Sequence, residues 1–144
     1  MYVPRLCVAI AVTLLSLFTH AEAAPRNEQF DCESTPHEFV SSLIRDRWIN
    51  AQPNRVEANS VNAFRPVDHS HPSAFGFSIY VVLGYAPDDP LFERGAGAKV
   101  VSPLYGVVVK GPVESVRTRV REANSDATVR SVVPLLLTAI VCGG

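Results

Sequence analysis

Charge of one sign is what this sequence most plainly lacks. Lys and Arg number 13 against 14 Asp and Glu, a formal net charge of -1. That balance excludes a strongly basic nucleic-acid binder and an acidic disordered tail. Beyond the N-terminus, long apolar runs are missing too. Val132 to Val141, the most apolar stretch, is 10 residues with Pro134 and Thr138 inside it, and a spanning helix needs roughly 20. There is no internal repeat and no low-complexity linker. A length of 144 residues excludes a large multidomain enzyme.

Catalytic signatures are equally scarce. No His-Glu-x-x-His supports zinc hydrolysis. Gly76-Phe77-Ser78-Ile79-Tyr80 holds half of a nucleophile elbow, inside a strand pattern. Gly95-Ala96-Gly97-Ala98-Lys99 lacks the spacing of a phosphate loop and reads as a flexible hinge. Asp88, Asp89 and Glu93 could supply paired carboxylates, but adjacent aspartates more simply initiate a turn. Asp68-His69-Ser70-His71 is the densest cluster of ligand types; with no third ligand indicated, it reads as a polar turn before Pro72. No metal, cofactor or catalytic residue is assigned.

What is present begins with the N-terminus. One positive charge, Arg5, precedes an apolar run of 13 residues, Leu6 to Phe18, and Ala21-Glu22-Ala23 supplies a small-x-small cleavage pattern. This is the layout of a secretory signal peptide over residues 1–23. The remaining residues, 24–144, are the length of one small domain. Cys7 leaves with the signal. Cys32 and Cys142 then remain as a pair near the two chain ends, which predicts one disulfide in an oxidising compartment, periplasmic or extracellular.

The pattern predicts an α+β domain of order α-β-β-β-α-β: a mostly antiparallel four-stranded sheet with two helices on one face. Thr35-Pro36-His37-Glu38 is a capping box with proline at the first helical position. Phe39, Val40, Leu43, Ile44 and Trp48 follow at helical spacing. Val56 to Phe64 reads as a weak strand. Phe75, Phe77, Ile79, Val81 and Leu83 alternate as one apolar strand face. After a long connection, Gly84 to Lys99, a strand returns over Val100 to Lys110. Gly111-Pro112 opens a second helix with Val113, Val116, Val120 and Ala123 as its stripe, ended by Asn124-Ser125-Asp126. Thr128 to Cys142 reads as the last strand, with Pro134 demanding an edge or a bulge. The strand-helix-strand unit predicts one parallel crossover. Two helices cannot cover both faces of strands that are apolar on both sides. The second face is therefore either covered by the long loop or the N-terminal arm, or packed against another chain, including a second copy.

The near-zero charge is split along the sequence. Residues 24–93 hold 5 Arg and 10 acidic residues; residues 94–144 hold 7 Lys and Arg and 3 acidic residues. Arg117, Arg119 and Arg121 with Arg94 and Lys99 would make a basic face that steers an acidic partner if they cluster. No aromatic residues interleave with them, which disfavours nucleic acid.

These features predict an exported, non-enzymatic binding protein, most concretely an inhibitor or immunity protein that blocks an exported toxin or hydrolase. The long connection is the expected partner surface, through Asp88, Asp89, Leu91, Phe92, Glu93 and Arg94. The alternatives are a binder of a small molecule or envelope ligand, using a pocket between the first helix and the sheet, and a small hydrolase using His69, His71 and an aspartate.

Overall fold

The computed structural model describes residues 26–98 and 100–144; the expected signal peptide lies outside them. Its elements are β1 (Asn27–Glu28), α1 (Pro36–Arg45), β2 (Arg55–Val56), β3 (Asn62–Phe64), β4 (Ser73–Ala74), β5 (Phe77–Tyr85), β6 (Leu104–Lys110), α2 (Val113–Glu122), β7 (Thr128–Val133) and β8 (Leu137–Gly143).

The strands form one mixed sheet in the order β1-β4-β5-β6-β8-β7, with the β2–β3 hairpin joined through β3 to the β5 edge that β4 also uses. β1 and β4 are parallel; every other paired neighbour is antiparallel. The expected four-stranded sheet is therefore wrong. The described residues form eight strands and two helices, so the domain is mostly β. Three physical reasons account for the error. Two-residue strands such as β1 and β4 are too short to show a period. Val56 to Phe64 is a hairpin rather than one strand, reversing through a turn in which Ser60 has φ 76°. Thr128 to Cys142 is also a hairpin, so its apolarity on both sides belongs to two strands. α2 joins β6 to β7, which run the same way with β8 between them, since each is antiparallel to β8.

The period-2 strand needs a second correction. A register shift between Ile79 and Val81 makes Tyr80 an extra residue in β5. Such a bulge reverses the phase of the side chains beyond it. Ile79 and Val82 thus face inward and are buried, while Val81 and Leu83 face the opposite side and are only half-buried. Phe75 belongs to no strand: with Gly76 it forms the two-residue β4–β5 turn, both at positive φ, as a type I′ hairpin requires.

α1 has the predicted capping box: the Thr35 side chain accepts from the Glu38 N–H, and Glu38 accepts from the Thr35 N–H. It ends at Arg45, earlier than the apolar spacing suggests, because Asp46 caps it and Arg47 takes φ 59°. Both helices contribute to one core. Phe39, Val40 and Leu43 of α1 and Val116 and Val120 of α2 pack on Val82, Val107, Val109 and Ile140. Phe30 sits edge-on to Phe39 and Phe75 in the same core. The predicted disulfide is present between Cys32 and Cys142. It fastens the segment before α1 to the end of β8 and is compatible with an oxidising compartment.

Acid weakens both ends of α1. Thr35 backbone and side-chain hydrogen bonds hold the Glu38 carboxyl below the usual range. Arg26, which bonds Asp46 at 2.5 Å and also pairs with Glu28, lowers Asp46 in the same sense. A carboxyl lowered in the folded state adds stability that is complete above its unfolded pKa, about 4, and is lost as pH falls through the folded value. Thermal midpoints measured downward from pH 5 should therefore fall, and Glu38→Gln with Asp46→Asn should flatten that fall. An unchanged slope would contradict this assignment.

Candidate functional site

The two faces of the sheet are unequal. The inner face carries both helices. The outer face presents Ala63, Val81, Leu83, Leu104, Val108, Leu137, Ala139 and Val141, at strand positions that alternate with the core. A groove of about 480 Å³ runs over this face, with Val81, Leu83 and Val108 in its lining, Asn54, Arg55 and Arg65 at one side, and Tyr80 and Val132 among its apolar contacts. Among the described residues no helix lies over it. The sequence anticipates two-sided apolarity, but not the bulge that aims Val81 and Leu83 outward.

At one end of this face stands the β7–β8 turn, Val133-Pro134-Leu135-Leu136. The Leu136 N–H donates to Val133 O at 3.0 Å, and Leu135 has φ 66°. Proline second and positive φ third is the layout of a type II turn, whose third position favours glycine or asparagine. A leucine there is strained, and this one is 80% exposed beside Leu136 at 64%. Val132 at 52% and Tyr80 at 41% add exposed apolar surface. The Gly111 N–H donates to Leu136 O at 2.9 Å, so the turn is also held by the residue that follows β6. Neither stability nor solubility accounts for paired leucines at such a position, and Val-Pro-Leu-Leu is the signal in the sequence that identifies it.

Cations border the outer face. Arg130 pairs with Ala139 in register and Lys110 with Leu137, so both share the apolar side; Arg55 and Arg65 flank the groove. The acidic group beside them, Glu57, is bonded to Arg55 at 2.6 Å.

The long connection is arranged differently from its sequence appearance. Asp88, Glu93 and Arg94 are exposed. Phe92 is turned into the core against Phe64 and Tyr85, and Leu91 packs beside it. Asp89 is half-buried: one oxygen accepts from the Leu91 N–H and the other lies 2.8 Å from His37 Nδ1. Asp88, Asp89, Phe92 and Arg94 line an open depression of about 520 Å³. The six expected contact residues are thus near one another, but the loop projects its polar members and withdraws its apolar ones.

Gly95 and Gly97, read from the sequence as part of a hinge, are held by hydrogen bonds; Lys99 lies outside the described residues. Fully buried Asn62 donates to Ser60 O and Glu93 O and accepts from the Glu93 N–H. The Gly95 N–H donates to Ser60 Oγ, Gly97 N–H to Ala58 O and Val101 N–H to Asn59 O. A Cβ on Gly95 would meet Glu57 O at 2.0 Å. Glycine is there for close backbone approach, which a composition-based reading mistakes for mobility.

His69 and His71 are exposed in a turn, with His69 at φ 65°. Among the described residues no group of three or more His, Cys, Asp or Glu is placed to hold a metal, and no helix is long and apolar enough to cross a membrane. Ser78 is exposed near the start of β5. Arg117 bonds Glu114, and Arg119 lies by Gly76. Val40 and Leu43 are fully buried where α1 meets the sheet, so that interface is filled with side chains where a ligand pocket was expected. Comparison of the chain with known protein families, characterised proteins and solved structures gives no match.

Proposed function

We propose that the chain is an exported, non-enzymatic binding protein that inhibits a toxin or hydrolase in the periplasm or outside the cell. The observation that carries this reading is the outer face of the sheet, over which no helix lies among the described residues, ending in a hydrogen-bonded turn with two solvent-exposed leucines. Exposed apolar surface rimmed by polar groups is a mark of interaction sites, and a preorganised loop loses little entropy on docking. The partner is acidic: Arg65, Lys110 and Arg130 border the face. A second copy packed face to face would set these cations against their own counterparts. The leader-like sequence of residues 1–23 and the disulfide both support export.

The variant Leu135→Asn tests this reading, because it separates binding from folding. Asparagine tolerates positive φ better than leucine, so thermal stability should hold or rise slightly. A photoreactive residue at Tyr80 or Val132 should cross-link a host protein. That protein, once purified, should lose its enzymatic or toxic activity when mixed with an equimolar amount of the chain. Leu135→Asn should weaken the complex at least tenfold. A captured protein whose activity is unchanged would refute inhibition. Absence of any captured protein would refute the binding reading itself.

A further inference from the structure

β7 ends the sheet. Among the described residues it pairs with β8 alone, which leaves its second edge with unpaired backbone groups. Natural sheets blunt such edges with proline, lysine, bulges or a covering element. Asp126 to Ser131 contains no proline or lysine, and the irregularity in β7 comes later, between Ser131 and Val133. Thr128, Arg130 and Ser131 are exposed.

The segment is also complementary to itself. It reads Asp126-Ala127-Thr128-Val129-Arg130. Two copies laid antiparallel with Thr128 opposite Thr128 set each Asp126 against the other copy's Arg130, and each Ala127 against Val129. Directly opposed residues in an antiparallel pair are the closest side-chain neighbours, and opposite charges there are favourable. Asp126 and Arg130 are exposed and join none of the ion pairs among the described residues. Ala127 and Val129 are half-buried beside the core. Centring the pairing on Arg130 would oppose the two arginines, and centring it on Val129 would set Asp126 against Val132. Charge therefore selects one register.

We infer that β7 pairs with β7 of a second copy of this chain, centred on Thr128, to form a continuous two-fold sheet. The two-fold axis stands perpendicular to the sheet, so both outer faces lie on the same side and the dimer presents its partner with a doubled surface. The seam is short beside the roughly 1,200–2,000 Å² of a stable interface, so association is in the micromolar range.

Light scattering on the purified, disulfide-intact chain across micromolar concentrations tests this. The mass should rise from monomer toward dimer. Asp126→Arg and Arg130→Asp should each weaken the dimer at least tenfold, and the two together should restore it; circular dichroism checks that each variant is folded. Val129→Pro, which removes an edge N–H and not a charge, should abolish the dimer. A wild type that stays monomeric throughout would overturn the inference. So would a dimer indifferent to the single reversals, which would place the second copy elsewhere, or a double reversal that fails to rescue. The measurement needs no toxin or hydrolase, so its failure is distinct from failure of the inhibitor reading.

Discussion

Replacing both Cys32 and Cys142 with serine should lower the stability of the folded chain by about 4–5 kcal/mol, the value the chain-entropy argument gives for a closed loop of roughly 100 residues. The bridge spans a sequence separation of 110, so it restricts nearly the whole unfolded chain. Its folded-state role is also concrete. Cys142 is buried in β8, and Cys32 precedes α1 by a few residues. Phe30, two positions before Cys32, packs on Phe39, Phe75 and Tyr105. Losing the tether leaves Phe30 and β1 held by their own contacts alone. Domains of this size are stable by about 5–15 kcal/mol, so the serine variant should be partly unfolded at growth temperature if the native form lies at the lower end. Urea titration should show the midpoint drop by about 2–5 M for a slope of roughly 1–2 kcal/mol/M. A drop worth less than 1 kcal/mol would mean the unfolded chain is already compact and the bridge is dispensable.

The legible parts of this fold were those with local chemistry. Thr35, Pro36 and Glu38 announce the start of α1 because a capping box is satisfied within four residues. Asn124, at φ 54° after α2, ends that helix as its residue type suggests. The disulfide followed from the expectation that Cys7 leaves with a signal peptide, which makes Cys32 and Cys142 a pair. The parts that were not legible depend on non-local pairing. One bulge at Tyr80 moved Val81 and Leu83 from the core to the outer face, and no composition signal marks a bulge. The β7–β8 hairpin reads as one strand because its turn, Pro134-Leu135-Leu136, is built from apolar residues in place of the usual glycine or asparagine. The candidate surface was hidden for that reason: a turn that breaks local rules exposes its leucines. The loop, conversely, looked like a partner surface because Leu91 and Phe92 stand among charges in the sequence; Phe92 is drawn inward by Phe64 and Tyr85, strands away along the chain.

Asn62→Ala should cost about 3 kcal/mol, because three hydrogen bonds end on this one side chain and each is worth about 0.5–1.5 kcal/mol, with a further penalty for polar groups left buried. The Asn62 amide bonds both the N–H and the C=O of Glu93, and with Ser60 it fixes Glu93 and Gly95 against the β2–β3 turn. Asn62→Asp should be at least as damaging: it keeps the acceptor, removes both donated bonds and places a carboxylate where the residue is fully buried. Hydrogen exchange gives the local signature. The amides of Glu93, Gly95, Gly97 and Val101, which bond Asn62, Ser60, Ala58 and Asn59, should exchange much faster in Asn62→Ala, while those of β6 and β8 change only by the loss of global stability. A loss below 1 kcal/mol with unchanged exchange would show that the loop is held by Phe92 in the core and not by Asn62. The same variant separates the two candidate surfaces when binding is measured at a temperature where it remains folded. Releasing the loop disperses Asp88, Glu93 and Arg94 but leaves Val81, Val108 and the Leu135 turn in place. Partner affinity retained in Asn62→Ala and lost in Leu135→Asn assigns binding to the outer face; the reverse pattern assigns it to the loop.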